Sequence, residues 1–253
     1  MYRAGRPAAC GSRVLADQVP DVTATALTRL DAAGAIDCGT LNMAELAYNP
    51  TGHNALTGHV RNPWSPAHIP GGSSSGSGAA VSCGAVFAAL GSDTGGSIRF
   101  PAACCGVTGI KPTLGRVPRT GTMGLCVSLD TIGPLARSAR DCALVLAAIA
   151  GSDSADPHSD PRPVPDWMTA IDAGGSGLTI GVIPGALVEG IDTGIAAALA
   201  EAVAAWRQTG ARVVELPPPD VITAHALAVT VLLAEAAATQ GHWVDGREQD
   251  LTP

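Results

Sequence analysis

Two glycine-rich segments that carry serines constrain this chain more than anything else in it. They are Gly71-Gly72-Ser73-Ser74-Ser75-Gly76-Ser77-Gly78 and Gly91-Ser92-Asp93-Thr94-Gly95-Gly96-Ser97-Ile98-Arg99-Phe100-Pro101. Glycine lets the backbone come close to a ligand, and successive free N–H groups form an anion-binding nest. A serine set in such a nest is placed for acyl transfer, because the same amides can hold the oxyanion. Ser73 and Ser97 each follow a pair of glycines, Gly71-Gly72 and Gly95-Gly96. Between the segments, residues 79–90 are small and apolar, with no proline and no charge, which suits a packed helix passing into a strand. No lysine follows the glycines, so neither segment is a P-loop, although a flexible Ser/Gly loop or a phosphate cradle has the same composition.

The wording of the two segments is more specific than their chemistry. Pro70-Gly71-Gly72-Ser73-Ser74 followed by Gly91-Ser92-Asp93-Thr94-Gly95-Gly96-Ser97-Ile98-Arg99 resembles the signature of the amidase signature family, serine hydrolases with a Ser–Ser–Lys triad. The resemblance runs from about Ala4 almost to the end of the chain. It implies one amidase signature domain over 1–253, with a catalytic serine core at 71–101 and an α/β fold. In that fold a large mixed sheet is sandwiched between helices.

Carried over residue by residue, the resemblance makes Ser97 the nucleophile and Ser73 the middle serine, with a cis peptide between Gly72 and Ser73. The amides of Thr94, Gly95, Gly96 and Ser97 would form the oxyanion hole. Asp93 and Arg99 would brace the loop, while Ser74 and Ser77 are expected to make loop hydrogen bonds. Ser75 stands where many members have glycine. The segment 40–45, the loop 51–54 and Arg61–Trp64 would help line the substrate pocket.

The base is the exception. The family's lysine should fall just before Met1, and Lys111, the sole lysine, matches a different lysine downstream of the nucleophile, where packing is its expected role. The far end resembles the middle of typical members as well, so the chain is expected to be truncated at both ends. The resemblance therefore implies hydrolysis of a small-molecule carboxylic acid amide to acid and ammonia or amine through a Ser97 acyl-enzyme. Two alternatives stay open. One is the glutaminase component of a tRNA-dependent amidotransferase, working with a partner protein. The other is a non-catalytic descendant that binds amides. A homodimer is compatible with either kind of site.

Composition excludes several classes. The chain has 253 residues and a formal net charge of −7, with no Lys/Arg-rich block, so a direct nucleic-acid footprint is not expected. Seven cysteines, an odd number without a CxxC pair, read as buried reduced thiols of a cytoplasmic protein. His53, His59 and His68 are loosely spaced with no carboxylate cluster, so loop histidines are expected, and no metal or cofactor. The N-terminus has no apolar core of a signal peptide. The apolar run at 224–238 is broken by His225 and Glu235, and no membrane span is expected from it.

In chain order, helices are expected at 21–33 (opened by Asp21), 43–47, 138–149, 192–206 and 221–239. Strands are expected at 35–39, 107–113, 178–183 and 211–216, and a surface linker at 151–177. Ser138 and Asp141 have capping-box spacing. The strand–helix alternation of the last part argues independently for an α/β sheet.

Overall fold

A computed structural model describes residues 1–183 and 192–252. The chain divides into two compact units. One comprises Met1–Pro165 with Val231–Pro253, and the other Asp166–Thr230. The elements in order are α1 (Thr25–Ala32), α2 (Ser75–Ser82), β1 (Ala88–Asp93), α3 (Arg99–Cys105), β2 (Thr108–Gly109), β3 (Thr131–Ala136) and α4 (Ala139–Ile149). Then come α5 (Trp167–Asp172), β4 (Thr179–Val182), α6 (Thr193–Gln208), β5 (Arg212–Glu215) and α7 (Val221–Val244). The mixed α/β class is the one expected. Among the described residues the strands form two small sheets, β1-β3-β2 and β4-β5.

The larger unit is built on β3, which pairs antiparallel with β1 (Leu90 opposite Pro134, Asp93 opposite Thr131) and with β2. All six β3 residues are buried. The sequence predicts no strand there, because Pro134 lacks an amide hydrogen and proline is rare in a central strand. Its carbonyl is still used, accepting from Ile110 N at 3.0 Å. On this sheet Val81 of α2, Ile98 and Ala102 close over Leu135. Each fully buried aliphatic side chain is worth roughly 1.5–3 kcal/mol. This cluster seats the segment from α2 to α3, which joins the two serine loops.

Several local expectations change in the structure. The helix α1 begins at Thr25, and its N-cap is Ala24, without a side-chain hydrogen bond, rather than Asp21. Residues 35–39 form no strand, and 43–47 contribute only a 3-10 turn over Glu45–Ala47. The capping pair holds: Ser138 accepts from Asp141 N. The expected linker is docked through its first part, where Asp153 accepts from Thr25 Oγ1 (2.6 Å), Asp156 from Arg119 N (2.8 Å) and Asp160 from Arg116 (2.8 Å). These aspartates serve as acceptors rather than as solvated spacers. Of the seven cysteines, all free, Cys105, Cys126 and Cys142 are buried, whereas Cys38, Cys83 and Cys104 are exposed.

In the smaller unit, β4 and β5 pair in parallel, and α6 is capped by Asp192, whose side chain accepts from Gly194 N. The helix α7 runs through both His225 and Glu235, so by length and composition it is long enough and apolar enough to cross a membrane, contrary to the expectation from sequence. Its second half belongs to the larger unit. There Glu235 accepts from Ser128 N (2.8 Å) and Cys126 Sγ (3.1 Å), and Gln240 donates to Gly124 O (2.9 Å). Trp243 and Val244 pack against Val14, Leu15 and Leu46. Within that half Ala236 and Gln240 are buried.

Candidate active site

The first serine loop turns into α2, and the second connects β1 to α3. The peptide between Gly72 and Ser73 is cis. A Cβ on Gly72 would lie 2.6 Å from Asn49 O, so glycine is required by close backbone approach. The Ser73 carbonyl accepts from Ala44 N (3.1 Å), which places the 42–47 segment against the loop. Ser73 is buried, and its Oγ has no hydrogen-bond partner. The Oγ of Ser75 is in the same condition. Ser74 N donates to Ser97 O at 3.2 Å, so one backbone bond ties the two loops together.

Ser74 and Ser77 both hydrogen-bond to the backbone of β1. Ser74 Oγ donates to Ser92 O (3.3 Å) and accepts from Ser92 N (3.2 Å), and Ser77 Oγ donates to Leu90 O (2.9 Å). Both hold α2 against β1. Ser97 is half-buried, on the turn that leads into α3.

Asp93 organises the second loop. It is fully buried at the end of β1. Its Oδ1 accepts from Gly96 N (2.8 Å) and Arg99 Nη2 (2.9 Å). Its Oδ2 accepts from Ile98 N (3.1 Å), Arg99 N (3.2 Å) and Arg99 Nε (3.0 Å). Burial alone pushes this carboxyl up, but the Arg99 guanidinium and the Ile98 amide outweigh burial and hold it below the usual carboxylate range. The ring of donors around it fixes the turn that carries Ser97 onto the start of α3.

This bonding changes the oxyanion-hole expectation in one respect. The Gly96 N–H is committed to Asp93, so four free amides become three. Among the described residues no protein acceptor receives the N–H of Thr94, Gly95 or Ser97. Gly96 serves the loop differently: it has φ +131°, and a Cβ there would fall 2.5 Å from Phe100 Cε2.

Lys111 is exposed and donates from Nζ to Pro112 O (3.0 Å). It is therefore a surface residue, not the packed one expected. His53 and His59 face each other with ring centroids 4.7 Å apart, and His59 Nδ1 accepts from Asn54 N (3.1 Å). No group of three metal-ligating side chains occurs among the described residues.

Some neighbours of the loop carry no sequence signal. Asp130 Oδ1 accepts from Thr94 Oγ1 at 2.5 Å, and a cavity of about 330 Å³ borders Asp130, Arg119, Thr122 and Asp156. The partner of Thr94 lies 36 residues downstream, and no local spacing rule reaches that far.

A family model described as Amidase matches residues 2–250. The A component of the glutamyl-tRNA(Gln) amidotransferase of Anaeromyxobacter sp. (strain K) is 45% identical over 235 residues, covering 93% of this chain and 47% of that protein. Among solved structures, the corresponding component from Thermotoga maritima superposes with a TM-score of 0.89 at 36% identity, covering 98% of this chain and 56% of its own. Native peptide amidase from Stenotrophomonas maltophilia gives 0.88 at 36%, covering 98% and 52%. The chain spans about half the length of the curated relatives it matches.

Proposed function

The chain belongs to the amidase family, and we propose that it holds the nucleophilic half of an amide-hydrolysing site in which Ser97 is acylated. The observation that carries this reading is the joined pair of loops. Ser73 Oγ is buried with no partner, Ser97 is linked to the same loop through Ser74 N, and three unclaimed amides lie on the turn that ends at Ser97. In this reading Ser97 Oγ adds to the amide carbonyl carbon while its proton passes to Ser73 Oγ, and the Ser73 proton passes to a base. The amides of Thr94, Gly95 and Ser97 hold the oxyanion. The C–N bond then breaks as the proton returns to nitrogen, releasing ammonia or amine. Water reverses the steps and frees the acid. Losing one oxyanion donor from such a site costs about 10²–10³ in rate.

In this reading the base is a lysine, as the resemblance implies, and it is not Lys111, which is exposed with its Nζ donating to Pro112 O. In the protein isolated from its native source, ammonia or amine release from a simple carboxamide is expected, abolished by Ser97→Ala and cut by about 10³-fold or more in Ser73→Ala. Turnover that survives Ser97→Ala defeats the reading.

A second reading has its own support. Curated relatives at 43–46% identity carry the name of the A component of glutamyl-tRNA(Gln) amidotransferase. Under it the amide is glutamine, and the ammonia passes to a partner protein. Glutamine hydrolysis that rises when a co-purifying partner is added favours it, and full activity toward simple amides without any partner counts against it.

A further inference from the structure

Asp130 reaches the nucleophile loop from outside both serine segments, and nothing in the acyl-transfer scheme requires it. It is buried just before β3. One carboxylate oxygen accepts from Leu125 N (2.8 Å) and Cys126 N (2.9 Å), which fixes it to the 125–130 turn. The other accepts from Thr94 Oγ1 at 2.5 Å. The turn itself is held from the far side by Glu235 of α7, through Cys126 Sγ, Ser128 N and Ser128 Oγ. Next door, Thr131 Oγ1 donates to Asp93 O (3.0 Å).

The side chain of Thr94 is thus anchored at the start of the 94–97 turn, and its anchor is a carboxylate. Asp93 fixes the C-terminal side of the turn through Gly96, Ile98 and Arg99. Without a second fixed point, the peptide planes of Thr94 and Gly95 can rotate about the Asp93 end. Donors aimed at a developing oxyanion help only if they are already oriented when charge appears.

We infer that Asp130 is a positioning residue that orients the Thr94 and Gly95 amides toward the acyl oxygen by gripping Thr94 Oγ1. This rests on the reading of Ser97 as nucleophile, and it deepens that reading by extending the site to a turn secured by α7. Asp130 touches no reacting atom.

Two readouts test it. The first is labelling of Ser97 by an alkyl fluorophosphonate, in which the Ser97 O–P bond forms, fluoride leaves, the hydroxyl proton passes to solvent or base, and the phosphoryl oxygen occupies the oxyanion site. Thr94→Val and Asp130→Asn each lower the maximal labelling rate about tenfold with the half-saturating probe concentration unchanged. The double variant is no slower than either single one, and Thr94→Ser restores the rate. The second readout needs no reactivity. Amide hydrogen exchange of residues 93–99 rises in Thr94→Val, while β1 and β3 keep their protection. A labelling rate in Thr94→Val equal to the parent's, additive losses in the double variant, or unchanged exchange at 93–99 overturns the inference. If the parent protein is not labelled at Ser97 at all, the nucleophile assignment fails, and the exchange comparison alone decides the role of Asp130.

Discussion

The two units of this chain solve the problem of holding a loop in opposite ways. In the larger unit a fully buried carboxylate, Asp93, accepts five hydrogen bonds from one short turn, and the turn sits on a cluster in which Val81, Ile98 and Leu135 are fully buried. In the smaller unit the Ala-rich α6 has no buried residue, and the residues of β4 and β5 are half-buried or exposed. One unit is fixed by saturated polar bonds over a dense core, the other by helix periodicity and caps such as Asp192. A catalytic geometry needs the first kind of construction, because its groups must be held to within about 0.5 Å.

The largest effect expected from that contrast is on stability. Asp93→Ala leaves three backbone amides and a guanidinium without their acceptor, and should cost about 3 kcal/mol in urea unfolding. Leu199→Ala on α6, where Leu199 is already 39% exposed, should change stability by no more than about 1 kcal/mol. Equal losses in the two variants would break the comparison.

Hydrogen exchange sharpens it next. Amides of β1 and β3 are expected to exchange at least about a hundredfold more slowly than those of α6, since local opening follows the density of buried contacts. Mass-spectrometric exchange on the intact chain measures both at once, and comparable protection would show the smaller unit to be as firmly built.

A smaller effect comes with pH. The folded-state pKa of Asp93 is depressed below 3.8, so its stabilisation is present above the unfolded value and is lost as pH falls through the folded one. Glu235 adds to the same limb, its carboxyl held at about 2 by the Ser128 hydroxyl and amide and the Cys126 thiol. The melting temperature should fall below about pH 4, and Asp93→Asn should flatten that limb. A limb unchanged in the variant would remove Asp93 from the account.

The smallest perturbation is chemical. At about pH 8, iodoacetamide should modify Cys38, Cys83 and Cys104 and spare Cys105, Cys126 and Cys142, which are buried and whose thiols are pushed up to about 11, chiefly by that burial. Ready labelling of Cys105 would mean that the cluster under α3 opens easily.

Much of this is legible in the sequence, for reasons that differ from place to place. Helices α4 and α6 stand where periodicity and caps put them, because Ser138 and Asp192 cap locally. The bracing by Asp93, Arg99, Ser74 and Ser77 can be read because those residues lie within the two motif segments. Pro134 hides β3, since the rule against proline in a central strand cannot know that its carbonyl alone is used. Glu235 looks like a break in an apolar run because its partners, Cys126 and Ser128, lie 109 and 107 residues away in the chain. The Asp130–Thr94 bond and the loss of the Gly96 amide to Asp93 depend on side-chain direction at one turn, which spacing does not encode.

The central claim is that Ser97 is the residue that takes the acyl group. Its most direct test is peptide mapping of the adduct formed when the protein from its native source is treated with an alkyl fluorophosphonate. The account predicts one adduct, on Ser97, absent in Ser97→Ala and formed more slowly in Ser73→Ala. An adduct on another serine, or one that persists in Ser97→Ala, would contradict it.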